Sequence, residues 1–482
     1  MSDGTADVRR LAHGVMLGAF AGPVVPDWLP TAYAQGLAGI CLYGNNMAPG
    51  SDLADLARSV RRLDPTAVLA LDEEGGDVTR LHAHAGSPHP GNAALGAHDD
   101  VAATRAVAAG IGAELARAGV WLDLAPSADI NSDPRNPVIG TRSFGADPAR
   151  VARHTAAYVE GLASQGVAAS VKHFPGHGDT SADSHLGLPR VSVGAEVIRD
   201  RELVPFIAAA DDAATIMTSH VLLEAFDDQE PATLSRAVLT GLLRDELGFG
   251  GVIVTDALDM AGASAEHGIG GAAVLALAAG ADLLCLGPEH IESPGTLALA
   301  VDAVCRAVDS GDLPLDRLTE AAKRVDALRT TWSDLTVRDD ADDVIAAARQ
   351  ASREIAAALV ADAPSFAGPA TVVRIDTGTN LAVGETRWGR LDLGGDVVDL
   401  TLEDLDRTPL LDGDVAIVVR RATSEPRAWN WIRRQLAAND RAVLVELGWP
   451  DPALDDLDHV VCTYGSAAVL TDALATTLRG DR

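Results

Sequence analysis

The chain has 482 residues, 47% hydrophobic and 22% charged, with 69 acidic against 38 basic side chains. That length exceeds one ordinary domain and suits a large one plus a smaller one, and the composition is that of a soluble globular protein. A net charge of −31 repels nucleic acid and anionic membrane, so neither is an expected partner.

The first residues, "MSDGTADVRRLAHGVMLGAF", lack a basic start, an apolar run and a small-residue cleavage site, so no secretory signal is expected. No apolar run reaches the length of a membrane span. Cys41, Cys285, Cys305 and Cys462 are scattered, three of them in apolar runs. They read as free thiols, and a reducing cytoplasm is the expected location.

In chain order, eight short apolar runs end in Gly, Pro or polar clusters. They are "VMLGAF" from Val15, "AGICLYGNN" from Ala38, "AVLALDEEGG" from Ala67, "VWLDLAPSADI" from Val120, "VAASVKHFPGHG" from Val167, "TIMTSH" from Thr215, "GVIVTDALDM" from Gly251 and "ADLLCLG" from Ala281. Continuous apolar strands without alternation suggest a parallel sheet covered on both faces. Ala-rich helical segments lie between them, such as "ATRAVAAGIGAELARAG" and "GAAVLALAAG", each stopping at Gly. Eight βα units predict an α/β fold, a (β/α)8 TIM-like barrel, with a doubly wound open sheet as the structural alternative. Polar residues crowding the strand ends favour the barrel.

The pattern breaks near "TTWSDLTVRDDADD", and a helix-like "VIAAARQASREIAAALVADAP" follows. Five further strand candidates follow: "TVVRI", "DVVDL", "DVAIVV", "AVLVELG" and "HVVCTYG". The expected organisation is a catalytic barrel over 1–335, a linker over 336–350 and a smaller C-terminal α/β sandwich domain over 351–482.

Barrel sites gather at the C-terminal mouth. There the sequence puts Asp72, Glu73, Glu74 and Arg80 after the third strand, and Asp129 and Arg142 after the fourth. Lys172 and His173 follow at the fifth, with the loop "KHFPGHGDTSADSHLGLP" to Pro189. His220 ends the sixth and Asp256 the seventh. A single Asp at a strand end is more often a helix cap than a catalyst. Acids, bases and cations converging from several strands are less bland. Within the long loop, Phe174-Pro175-Gly176 shape the backbone, and His177 and Asp179 read as braces.

"KHFPGHGDTSADSH" with "VIVTDALDM" downstream resembles glycoside hydrolase family 3, in its β-N-acetylglucosaminidase branch. "LDEEGG", "NPVIGTRSFGADP" and "VVCTYGSAAVL" are similar to family elements as well, and the resemblance spans both domains. It implies a retaining, exo-acting enzyme that removes terminal β-linked N-acetylglucosamine without a cofactor or metal. Asp256 would be the nucleophile, His185 the general acid/base and Asp183 its partner. Asp72, Arg80, Arg142, Lys172 and His173 would hold the sugar, and His220 is added as a rim residue. Small amino-sugar glycosides, from cell-wall fragments or chitin oligomers, would be the partners. One departure stands out: the family stretch usually reads closer to Asp-Gln-Glu-Gly-Gly-Arg, whereas here Glu73 and Asp77 replace Gln and Arg. A lost cation and a gained carboxylate would change what the neighbouring subsite accepts. In other branches the second domain carries the acid/base carboxylate.

The residues support these roles independently. A retaining glycosidase pairs a nucleophile with a group that gives and takes a proton. Asp256 ends an apolar strand, which fixes it stiffly. A histidine titrates near neutrality without extreme burial, and a carboxylate two residues away can orient its ring.

Three rival readings stand beside this one. A metal-dependent hydrolase could use His173, His177, Asp179, Asp183 and His185 as ligands. Pro175 and Gly176 argue against a helix that would pair the first two, and Asp256 would then have no task. A phosphorylase would pass the sugar to inorganic phosphate, since a neutral histidine base does not repel the incoming dianion. A non-catalytic sugar-binding protein would need neither Asp256 nor His185.

Overall fold

The computed structural model describes residues 3–48, 50, 52–180, 187–288, 295–378 and 391–481. The eight expected strands all form. They are β1 (Met16–Gly18), β2 (Gly39–Leu42), β3 (Val68–Leu71), β4 (Leu122–Asp123), β5 (Ala168–Phe174), β6 (Thr215–Thr218), β7 (Val252–Val254) and β8 (Leu284–Cys285). All pair in parallel in the order β8-β1-β2-β3-β4-β5-β6-β7. A parallel bridge between Val254 and Leu283 joins the two ends. The sheet is therefore a closed (β/α)8 barrel, not an open doubly wound sheet.

Leu17, Ala70, Leu122, Ala168, Met217 and Val254 belong to the buried cluster that fills the barrel. The outward strand faces, with residues such as Ile40, Leu69 and Ile216, pack under the helices in a larger cluster. Burial on both faces is why the strands read as unbroken apolar runs. The two Ala-rich helices end as expected, at Gly119 and Gly280, both with positive φ.

The second domain is a five-stranded parallel sheet of β9 (Ala370–Ile375), β10 (Gly394–Leu400), β11 (Val415–Val419), β12 (Ala442–Glu446) and β13 (Val460–Cys462). Its order is β10-β9-β11-β12-β13. Alternate residues face opposite layers. Val372, Val418 and Val443 pack with Leu474 and Leu478 of the helix Ala468–Leu478, and Val373, Ile417 and Leu444 pack with Trp431 and Ile432 of the helix Pro426–Ala438.

The expected linker over 336–350 is a linker only in its first few residues. Ala341 opens a 19-residue helix that runs to Leu359. Its first half packs on the barrel helix Val101–Ala118, with Ala341 and Ile345 against Ala113. A Cβ on Gly110 would overlap that of Ala348, so glycine there permits the close crossing. Its second half brings Ala356 against Ala94, Ala467 and Leu470. Among the described residues, no helix is long and apolar enough to cross a membrane.

Candidate active site

The C-terminal ends of the barrel strands surround a cavity of about 250 Å³, lined among others by Asp72, Arg80, Arg142, Lys172, His173 and Asp256. Six residues expected from the sequence thus share one pocket.

Past β3 the side chains alternate, as strand geometry dictates. Asp72 and Glu74 join the charged network of the mouth, while Glu73 turns away. Glu73 is buried and accepts from Thr79 Oγ1 at 2.5 Å and from the backbone N–H groups of Arg80 and Leu81 at 2.7 and 2.8 Å. It braces the turn that delivers Arg80. Burial pushes its carboxyl up, against these hydrogen bonds.

Lys172 and His173 lie on β5, where the pairing with β6 shifts register between Val171 and Phe174. That irregularity re-aims side chains at the mouth. The Lys172 ammonium, only 1% exposed, sits 2.6 Å from Asp72 Oδ1 and 2.8 Å from Glu74 Oε1. Arg142 grips Glu74 with two hydrogen bonds, from Nε at 3.0 Å and from Nη2 at 2.7 Å, and its Nη2 stands 3.2 Å from His173 Nε2. On the other side of the ring, His173 Nδ1 is 2.6 Å from Asp129 Oδ2. Arg80 approaches Asp72 at 3.6 Å.

This is a lattice of alternating charges, and buried charge persists only when paired in this way. Burial alone would raise the Glu74 carboxyl, but Arg142 and Lys172 hold it far below the usual range. Asp129 is likewise pulled down, by His173 and His177, against its burial. Burial disfavours the Lys172 cation, yet Asp72 and Glu74 keep its pKa above the ordinary value.

Asp256 follows β7. Its Oδ1 accepts the Ala257 N–H at 2.8 Å, and its own N–H points to Thr218 Oγ1 at 3.4 Å. His220 stands one layer behind the pocket. It is fully buried, with Nδ1 2.9 Å from Thr233 Oγ1 and Nε2 2.9 Å from the Ala257 carbonyl. The structure therefore places this expected sugar-binding residue outside the lining, fastening the turn that holds Asp256.

His177 is buried, its N–H donating to Asp129 Oδ1 at 2.6 Å and its Nδ1 lying 2.9 Å from Thr180 Oγ1. Burial lowers its pKa to about 4, so it is neutral at pH 7. Asp179 pairs with Arg201 at 2.5 Å. Both brace the base of the long loop. Asp183 and His185 lie outside the described residues. Among the described residues, no three His, Cys, Asp or Glu side chains are grouped to hold a metal ion.

Three features escaped the sequence reading. Glu74 links Arg142 to Lys172, and the two-residue alternation from Asp72 was the available signal. Tyr43 and Asp259 line the pocket, Tyr43 with its hydroxyl 3.3 Å from Cys285 Sγ. The substituted Asp77 does not line it. Asp77 accepts from Thr141 Oγ1 at 2.8 Å and from Ser466 N and Oγ at 2.7 and 2.8 Å, and it pairs with Arg420.

Fold and pocket together define a (β/α)8-barrel protein with a charged, small-molecule-sized site at the C-terminal mouth. Residues 31–328 match the model of the glycosyl hydrolase family 3 N-terminal domain, and the chain belongs to that family. It is 37% identical over 282 residues to beta-hexosaminidase A of Pseudoalteromonas piscicida, a match covering 54% of this chain and 47% of that protein. The chain thus spans about half the length of that relative. A beta-hexosaminidase of Pseudomonas aeruginosa is 36% identical over 259 residues, covering 51% of this chain and 74% of its own. Among solved structures, a family 3 beta-N-acetylglucosaminidase from Paenibacillus sp. FPU-7 superposes with a TM-score of 0.84 at 30% identity, over 98% of this chain and 96% of the other.

Proposed function

We propose that the protein is a retaining, exo-acting β-N-acetylglucosaminidase. The observation that carries this reading is the single pocket in which Asp256, fixed by the Ala257 N–H, faces the Asp72–Lys172–Glu74–Arg142–His173 lattice. Relatives and a structural neighbour named for hexosaminidase activity support it. A cavity of about 250 Å³ suits one sugar ring better than a chain, which supports action at a terminal residue.

In this mechanism Asp256 attacks the anomeric carbon as the glycosidic bond breaks, giving a glycosyl-enzyme ester. His185, oriented by Asp183, protonates the departing oxygen and then takes a proton from the incoming water. The Asp72, Lys172 and Arg142 groups hold the sugar hydroxyls. Ion pairs of Lys172 with Asp72 and Glu74, and of Arg142 with Glu74, fix these groups before substrate arrives, so little ordering is left to the bound state.

The test uses a slow fluorinated N-acetylglucosaminide and a panel of aryl and oligosaccharide β-glycosides, each with and without phosphate. The expected results are a mass adduct on the Asp256 peptide and free N-acetylglucosamine as product. An adduct on another residue overturns the nucleophile assignment. Sugar 1-phosphate formed in proportion to phosphate would assign transfer to phosphate instead of water.

A further inference from the structure

Asp77 is a buried carboxylate that the mechanism does not use, at a position where the family motif usually carries a cation. Its side chain is only 2% exposed, and a carboxylate so deep needs donors. It has four. Thr141 Oγ1 comes from the barrel. Ser466 N, Ser466 Oγ and Arg420 Nη2 come from the second domain, just beyond the C-terminal ends of β13 and β11.

The neighbours of Asp77 give this clip its consequence. Asp77 caps a tight turn in which Glu74 N–H donates to the Val78 carbonyl at 3.0 Å. Gly76 takes φ +59° there, and a Cβ on it would strike Gly91. The arms of that turn carry Glu74 and Arg80. Across from it, Thr141 is the residue before Arg142, whose carbonyl accepts from Asn92 Nδ2 at 2.7 Å and whose guanidinium is held by Glu74. One carboxylate therefore joins the two loops that supply Glu74, Arg80 and Arg142, and most of its donors belong to the other domain.

We propose that Asp77 is a positioning residue through which the docked second domain, by Arg420 and Ser466, sets the geometry of Arg142 and Glu74 in the sugar pocket. The second domain is then a clamp on the binding loops. This rests on the sugar-binding role given to Arg142 above.

The whole 482-residue chain is used for the test, with Asp77→Asn, Arg420→Met, Arg420→Lys and the double variant D77N/R420M. Ser466→Ala keeps the ion pair and serves as a milder probe of the same clip. Asp342→Asn removes an exposed pair with Arg117 at 2.6 Å, remote from the pocket, and is the control. Two readouts are taken: KM and kcat on an aryl β-N-acetylglucosaminide, and hydrogen–deuterium exchange of the peptide spanning 136–143.

Asp77→Asn and Arg420→Met are each expected to raise KM about tenfold with kcat within about twofold, the signature of lost sugar binding, and to speed exchange over 136–143. The double variant is expected to be no worse than either single one, because both break one link. Ser466→Ala moves both readouts less, in the same direction. Arg420→Lys recovers most of the KM, and Asp342→Asn changes neither readout. Unchanged KM and exchange in Asp77→Asn, additive losses in the double variant, or equal losses in Asp342→Asn would each overturn the proposal. If no variant and no wild-type protein cleaves the substrate, the hydrolase reading fails, and the exchange measurement still decides the clamp.

Discussion

Replacing Glu74 by Gln tests whether the charge lattice is the scaffold of the pocket. Glu74 is 3% exposed and pairs with Arg142, itself 6% exposed, and with Lys172 at 1%. Removing one member of a buried ion network costs about 3–5 kcal/mol. Here Lys172 keeps Asp72 at 2.6 Å, and the amide oxygen of Gln still accepts, so the lower end, about 3 kcal/mol, is expected. For a cooperative unit of the whole 482 residues, unfolding entropy is about 1 kcal/mol/K, which converts that loss to a fall in Tm of about 3 °C at pH 7.

The pH dependence fixes the cause. The folded Glu74 carboxyl is held far below its unfolded value near 4.5. Its contribution is therefore complete above about pH 4.5 and declines as pH falls, by about 1.4 kcal/mol per unit. Differential scanning calorimetry of wild type and variant at pH 7 and pH 3.5 is the assay. The gap should shrink in acid. Equal Tm values at pH 7, or the same gap at both pH values, would refute the reasoning.

Glu202→Gln should do the opposite. Burial raises Glu202 from 4.5 to about 7, so its favourable contribution is present below pH 4.5 and lost as pH rises through 7, about 3 kcal/mol in all. The gain in Tm of the variant over wild type should be larger at pH 8 than at pH 5. Gly110→Ala should destabilise by about 1–3 kcal/mol in thermal unfolding, because its Cβ meets Ala348, and adding Ala348→Gly should restore most of the loss. His220→Ala should lower kcat far more than it raises KM in steady-state assays, since the ring holds the Ala257 carbonyl beside Asp256; a pure KM effect would return it to sugar binding. His185→Ala should slow glycosides with poor leaving groups much more than activated aryl glycosides, and an equal loss on both would remove it from proton transfer.

Most of the strands were legible because each is largely a run of Val, Leu, Ile and Ala that two packed layers demand; the edge strand Gly394–Leu400 is mostly exposed. Asp72, Lys172, His173 and Asp256 were legible because they stand on a strand or within two residues of its end, whereas Arg80 and Arg142 lie further along the following loops and were marked by the family resemblance. The helix after the barrel was legible from Val344 in "VIAAARQASREIAAALVADAP", and only its start was set late because "RDDADD" looks like a solvated break. Asp342 and Asp343 are the acidic first turn of that helix, where negative charge suits the N-terminal dipole. For His220 the sequence left two readings, a sugar contact or a packed, hydrogen-bonded rim residue, because its position reveals proximity to the mouth and not the direction of its ring; the structure shows the second. The fate of Asp77 was hidden for a different reason: its partners, Arg420 and Ser466, lie more than 340 residues away in the sequence.

The helix Ala341–Leu359 has one more consequence. Its first turns complete a face of the barrel through Ala341, Ile345 and Ala348, and its last turns seat Ala356 against Ala467 and Leu470 of the second domain. Neither body can melt without stripping a wall from the other. Heat should therefore take the two domains apart in a single calorimetric peak, and a gene cut at residue 335 should yield a barrel with a bare alanine-lined stripe that invites self-association.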